Sequence, residues 1–138
     1  MAQVYKTKSE RLVGSDFHEV NKQAFKYYQK IKSKSRRKPY IRSAYFHKDK
    51  IFLAQFWQHL FEKANWRDRV RRIKYFPPAI ELIQNSKFDP KSKENPNKPN
   101  EILHRFTGIT KGNHIFHIQV KENKKTGKKY LISVFPEQ

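Results

Sequence analysis

The sequence contains no cysteine among its 138 residues, which excludes disulfide bonds and thiolate-bound zinc. No run approaches the roughly 20 apolar residues that a membrane-spanning helix needs. The first 14 residues carry charges but no apolar segment typical of a signal peptide. These absences predict a cytoplasmic protein with no membrane partner.

Acidic residues are also scarce. The chain has 12 Asp and Glu against 31 Lys and Arg, so its formal net charge is +19. Residues 1–50 carry 14 basic and 4 acidic side chains, and residues 51–138 carry 17 and 8. A charge spread this evenly predicts that the folded body itself binds a polyanion, with RNA favoured over DNA.

Aromatic residues, by contrast, make up 14% of the chain, which is typical of a folded protein rather than a disordered basic one. The length predicts a single domain over residues 1–138. We expect residues 1–14 to be flexible or only loosely docked. We expect residues 86–100, with three Pro and four Lys, to form an exposed loop.

Apolar periodicity predicts four helices in the first two thirds of the chain. The first covers residues 17–33 and opens with a capping box of Asp16 and Glu19. The second covers about 49–64. Asn65 should cap the third, in which Trp66, Val70 and Ile73 are expected to point inward, and Pro78 should open the fourth.

Alternating apolar residues then predict three strands, at about 102–109, 114–122 and 129–135. The segments TKGN and NKKTGK should form the hairpin turns between them. The order of helices followed by a meander predicts an α+β domain. Its helices would pack on one face of an antiparallel sheet of three strands or slightly more.

The period of two sorts the side chains of the middle strand onto two faces. Phe116, Ile118 and Val120 should meet the helices, which leaves the opposite face open. In the last strand Tyr130, Ile132 and Val134 should oppose Leu131, Ser133 and Phe135. His104 is expected to be half-buried. The open face is predicted to hold polar residues able to bind a phosphate: Arg105, Thr107, His117, Gln119, Lys121 and Ser133.

A metal site receives little support from the sequence. His114 and His117 are three residues apart on one strand, so they face opposite ways and cannot chelate one ion together. The carboxylates do not cluster into a two-metal site. Gln119-Val120-Lys121 resembles the (D/E)-x-K element of restriction-type nucleases, with Gln in the acidic position and no clear partner Asp. We predict neither a metal nor another cofactor.

Basic runs interleaved with aromatics, such as RRKPYIRSAYF and WRDRVRRIKYF, are typical of proteins that bind single-stranded nucleic acid. The arginines and lysines would contact phosphates, and the tyrosines would stack on bases. The predicted nucleic-acid-binding residues are Arg36, Arg37, Arg42, Arg67, Arg71, Arg72 and Lys74.

The segment LHRFTGITKGNHIFHIQVKENKKTGKKYLISVF, together with the order of elements, resembles the barnase–EndoU–colicin–RelE-like small ribonucleases. The resemblance covers residues 40–138 in architecture and 102–136 in motif. It implies metal-free transesterification of RNA by side chains on the sheet, here His117, His104, Arg105 and Lys121. Barnase-like members use a Glu as the base, whereas this chain offers only Glu101 and Glu122 at strand ends.

The leading hypothesis is therefore a metal-independent endoribonuclease of the toxin or mobile-element type. His117 or His104 would accept the 2′-OH proton, and Arg105 and Lys121 would stabilise the pentacoordinate phosphate. The alternative is a non-catalytic basic RNA- or DNA-binding protein. A third hypothesis adds an acidic antitoxin-like protein that silences the ribonuclease.

Overall fold

The computed structural model describes residues 4–35, 37–62 and 65–137. Within these residues four helices form: α1 Phe17–Ser33, α2 Ala54–Glu62, α3 Trp66–Ile73 and α4 Phe76–Asn85. The same residues contain seven strands: β1 Tyr5–Lys6, β2 Tyr40–Arg42, β3 Lys50–Phe52, β4 Lys91–Glu94, β5 Glu101–Ile109, β6 Ile115–Asn123 and β7 Lys129–Pro136.

The prediction of a simple antiparallel sheet is wrong. The described residues form a seven-stranded mixed sheet that curls into a half-barrel. Strands β5, β6 and β7 make the predicted antiparallel meander, but β1 pairs in parallel with β5 and β3 pairs in parallel with β7. The added strands have only two to four residues each, too few for an alternation pattern to reveal them.

Two of these short strands lie where other structure was predicted. Strand β3 occupies the start of the predicted 49–64 helix, so α2 begins only at Ala54, and residues 63–64 lie outside the described residues. Strand β4 lies inside the predicted 86–100 loop, although all four of its residues are exposed. It pairs with β5 and so widens the sheet.

The N-terminal segment, predicted to be flexible or only loosely docked, contacts both α4 and α3. Glu81 of α4 accepts hydrogen bonds from the backbone N–H of Lys8 (2.7 Å) and from the N–H (3.0 Å) and hydroxyl (2.8 Å) of Ser9. Burial by itself would raise the pKa of Glu81, but these hydrogen bonds lower it below its usual value. Further along, the N–H of Leu12 donates to the carbonyl of Lys74 (2.9 Å).

The helix boundaries follow local signals in most places. Helix α1 spans the predicted residues, but the Asp16 side chain makes no capping hydrogen bond, so the predicted capping box is absent. Asn65 does cap α3, because its Oδ1 accepts from the N–H of Arg67 (2.9 Å). Helix α4 has Pro at its first positions, where no helical hydrogen bond is lost.

The helices cover one face of the sheet. Phe56 of α2 and Phe76 of α4 stack at 5.6 Å between ring centroids, and both are fully buried together with Phe116 of β6. We call the opposite side of the sheet the open face. In the described part of the chain, no helix combines the length and apolar character that a bilayer span requires.

Candidate functional site

Strand β6 alternates as predicted. Phe116, Ile118 and Val120 have at most 1% of their surface exposed and face the helices. The intervening residues His117, Gln119 and Lys121 are therefore on the open face. Strand β5 is in register with them: Thr107 pairs with His117, Arg105 with Gln119 and Leu103 with Lys121. The predicted polar side chains of these two strands thus share one surface.

Strand β7 departs from simple alternation because it contains a bulge. Gln119 pairs with Ser133, but Val120 pairs with Leu131, so Ile132 is the extra residue. Leu131 and Val134 are consequently both buried, although alternation predicted opposite faces for them. The bulge places Ser133 beside Gln119 on the open face without removing Leu131 from the core.

Three charged or titratable side chains converge on the ring of Phe135. The His117 ring lies 5.4 Å from it between centroids, and the guanidinium carbons of Arg72 and Arg105 lie 5.7 and 5.5 Å from its centroid. Aromatic faces attract guanidinium groups, so the ring favours this arrangement. We call Arg72, Arg105, His117 and Phe135 the Phe135 cluster. Arg72 comes from α3, and the other members come from three adjacent strands.

Arg72 is oriented by two further contacts. Its Nε donates to Asp68 Oδ2 (3.0 Å), one helical turn earlier, and its Nη1 donates to the hydroxyl of Ser133 (3.1 Å). A cavity of about 210 Å³ opens here, and its lining includes Arg72, His59, Gln119 and Ser133. A second cavity of about 190 Å³ is lined by Arg105, Gln119 and the exposed strand β4. Gln119 lines both cavities.

His117 is held from both sides. Its Nδ1 lies 2.9 Å from the hydroxyl of Thr107, and its Nε2 lies 3.2 Å from Glu137 Oε1. The His117 side chain is 14% exposed and that of Glu137 is 50% exposed. Thr107 therefore orients the His117 ring on the open face, and Nε2 lies beside the half-exposed carboxylate of Glu137. An incoming ligand can replace such a half-exposed carboxylate at low cost.

Lys121 lies further along the open face. Its ammonium is 3.4 Å from Glu101 Oε1 and 5.3 Å from the centroid of the Tyr130 ring. Lys121 is four positions beyond His117 on β6, so it lies outside the cluster.

His104, the other predicted catalytic histidine, is on the helix side of the sheet. It is 7% exposed, and its ring lies 5.0 Å from that of Phe46. Its Nδ1 is 2.6 Å from the hydroxyl of Ser92, and its Nε2 is 2.7 Å from Glu122 Oε1. Glu122 in turn lies 3.7 Å from the buried ammonium of Lys129. His104 thus links β4, β5 and β6 and is separated from Arg105 by the sheet.

The predicted nucleic-acid-binding residues divide into several groups. Arg67, Arg71 and Lys74 line one cavity of about 480 Å³. Arg42 lies 5.5 Å from the Tyr40 ring centroid, and Arg37 is exposed. Arg72 belongs to the Phe135 cluster, and Arg36 lies outside the described residues.

Sequence reasoning missed two residues of these surfaces. His59 lies on the polar side of α2, and helical periodicity does not indicate what that side contacts. Trp66 was predicted to point inward but is 52% exposed, whereas Val70 and Ile73 are buried as predicted. Trp66 is the first residue of α3, so the helix projects it beyond the core.

Among the described residues, no group of three or more His, Asp or Glu is placed to hold a metal ion. No family model, curated protein or solved structure matches this chain. The resemblance to the small ribonucleases therefore stays a prediction.

Proposed function

We propose that the protein is a metal-independent endoribonuclease and that the Phe135 cluster is its active site. The supporting observation is that an imidazole and two guanidiniums lie within about 6 Å of one ring on an open sheet face. Among the described residues Arg105 has no carboxylate partner, so its guanidinium is available to a ligand. A phosphodiester bound at the cluster would accept charge-assisted hydrogen bonds from the guanidiniums of Arg105 and Arg72.

In this mechanism the Nε2 of neutral His117 accepts the proton of a ribose 2′-OH once substrate has displaced Glu137. The 2′-oxygen then attacks the adjacent phosphorus and the bond to the 5′-oxygen breaks. The products are a 2′,3′-cyclic phosphate and a 5′-hydroxyl. Arg72 and Arg105 stabilise the charge that develops on the nonbridging oxygens.

The departing 5′-oxygen needs a proton, and His59 is the candidate donor. It belongs to α2 and lines the same cavity as Arg72 and Ser133. Lys121 lies further along β6, where it is paired with Glu101, and makes no direct contact with the cluster. His104 has no role in this scheme because the sheet lies between it and the cluster.

The test is cleavage of a labelled single-stranded RNA in EDTA, with analysis of the new ends. Wild type should yield 2′,3′-cyclic ends. His117→Ala and Arg105→Ala should each lower the rate by about 10²–10³-fold. Lys125→Ala, which removes an exposed cation at the β6–β7 turn, is the matched control and should cleave normally. Absence of cleavage, or 5′-phosphate ends, would refute the proposal.

A non-catalytic RNA-binding protein is the second candidate, and the rest of the open face favours it. Phe52 and Tyr130 lie 5.8 Å apart between centroids, and the ammonium of Lys50 lies 4.7 Å from the Tyr40 ring centroid. Aromatic rings flanked by cations suit stacked bases and phosphates. Salt-dependent RNA binding by wild type without any cleavage would favour this candidate.

Either function would operate in the cytoplasm, where RNA is abundant. A ribonuclease there needs restraint, and an acidic antitoxin-like protein would provide it by covering the cations of the Phe135 cluster. Such a partner should compete with RNA. Mixing the protein with an acidic candidate and measuring cleavage tests this extension, which fails if the complex cleaves at the rate of the free protein.

A further inference from the structure

A second basic surface lies beside the Phe135 cluster, around Trp66. Trp66 is 52% exposed, whereas Trp57 is 8% exposed. The cavity of about 480 Å³ beside Trp66 is lined by four cations of the described residues, Arg11, Arg67, Arg71 and Lys74. We call this cavity the Trp66 groove. A half-exposed indole among cations contributes little to a hydrophobic core, but it is well suited to stack on a base.

The cations of the Trp66 groove are largely available to an anion. The guanidinium carbon of Arg67 lies 5.5 Å from the centroid of the Trp66 ring. Arg71 contacts Asp68 at 3.4 Å but remains 52% exposed. Within the described ranges, Arg11, Arg67 and Lys74 have no carboxylate partner. The groove therefore offers positive charge together with an aromatic face.

The groove borders the proposed active site at one residue. Its wall includes Glu137, which also lies 3.2 Å from the Nε2 of His117. Helix α3 supplies Arg71 to the groove and Arg72 to the Phe135 cluster. Arg11 also lines the groove, and the N–H of the adjacent Leu12 holds this segment against α3 by donating to the Lys74 carbonyl (2.9 Å).

We propose that the Trp66 groove binds the single-stranded RNA that flanks the scissile phosphate, with one unpaired base stacked on Trp66. Arg67 and Lys74 contact the adjoining phosphates. The inference rests on the proposed function for the position of the scissile phosphate. The substrate must be single-stranded here, because a duplex covers both faces of its bases and leaves none for the indole.

The experiment measures binding of a fluorescein-labelled RNA of about 12 nucleotides. The RNA carries 2′-O-methyl groups, so a mechanism that needs a free 2′-OH cannot cleave it. Trp66→Ala should weaken binding by roughly 5- to 100-fold, and Trp66→Phe should restore most of it. Phe88→Ala is the matched control, because Phe88 is 37% exposed and does not line the groove, and it should bind as wild type does. Arg67→Ala should reduce the dependence of the affinity on salt.

Circular dichroism shows whether each variant is folded. Equal affinity of folded Trp66→Ala and wild type for this RNA would overturn the inference, as would equally tight binding of a duplex of the same length. If wild type cleaves no RNA but Trp66→Ala binds this RNA more weakly than wild type does, the groove is supported and the ribonuclease is refuted. If wild type cleaves RNA and Trp66→Ala binds as tightly as wild type, the ribonuclease is supported and the groove is refuted.

Discussion

The two histidines on opposite faces of the sheet should respond differently to the same substitution. His104→Ala removes a ring that is 7% exposed and that contacts Ser92 at 2.6 Å and Glu122 at 2.7 Å. His117→Ala removes a ring at the solvent boundary that contacts Thr107 at 2.9 Å and the half-exposed Glu137 at 3.2 Å. We expect the first variant to lose stability and the second to lose cleavage.

The expected losses follow from these contacts. A buried hydrogen bond to a carboxylate contributes about 1.5–3 kcal/mol, and one to a hydroxyl about 1 kcal/mol. With the cavity left by the ring, His104→Ala should lower the free energy of unfolding by about 3–4 kcal/mol. His117→Ala loses one partly buried hydrogen bond to Thr107 and one exposed contact with Glu137, or about 1 kcal/mol. The difference corresponds to a gap of roughly 10 °C in Tm for a domain of this size.

Urea unfolding followed by tryptophan fluorescence measures both variants, provided that the m value is unchanged. Cleavage per folded molecule should be close to wild type in His104→Ala and about 10²–10³-fold lower in His117→Ala. The reasoning is refuted if His104→Ala has the same urea midpoint of unfolding as wild type, or if His117→Ala is the less stable of the two variants.

Three further predictions concern other contacts. Arg72→Lys should slow single-turnover cleavage by about 10-fold or more, because an ammonium cannot reproduce the planar fork that orients this side chain and binds a phosphate; an unchanged rate would contradict this role. The pKa of Glu81 is lowered in the folded state. Its ionised form therefore stabilises the fold fully above the unfolded-state pKa of about 4.3, and this stabilisation is lost as the pH falls through the folded-state pKa. Urea titrations should therefore show a smaller loss of unfolding free energy between pH 7 and pH 3 in Glu81→Gln than in wild type. Equal losses in the two proteins would contradict this role of Glu81. Gly108→Ala would place a methyl 2.8 Å from the Cζ of Phe116 and should lower the free energy of unfolding by about 1–3 kcal/mol, whereas wild-type stability would show that the ring moves aside easily.

Much of the local structure was predictable because it depends on short-range patterns. The alternation of β6 assigned Phe116 and Ile118 to the helix face and His117 to the open face, since a strand turns successive side chains to opposite sides. The extent of α1 and the cap at Asn65 were equally local. The short strands β1, β2, β3 and β4 were missed because they are too short to show an alternation pattern and depend on pairing with other strands.

By itself, therefore, the sequence determined the helices, the C-terminal meander and the faces of β6, which are set within a few residues by backbone geometry and side-chain polarity. Only the tertiary structure decided that Arg72 meets Ser133, 61 positions away, and that the bulge at Ile132 keeps Ser133 on the open face. It also decided that Trp66 is exposed beside Glu137. Such contacts arise from packing whole elements together, and no periodicity within one element encodes where that element will lie.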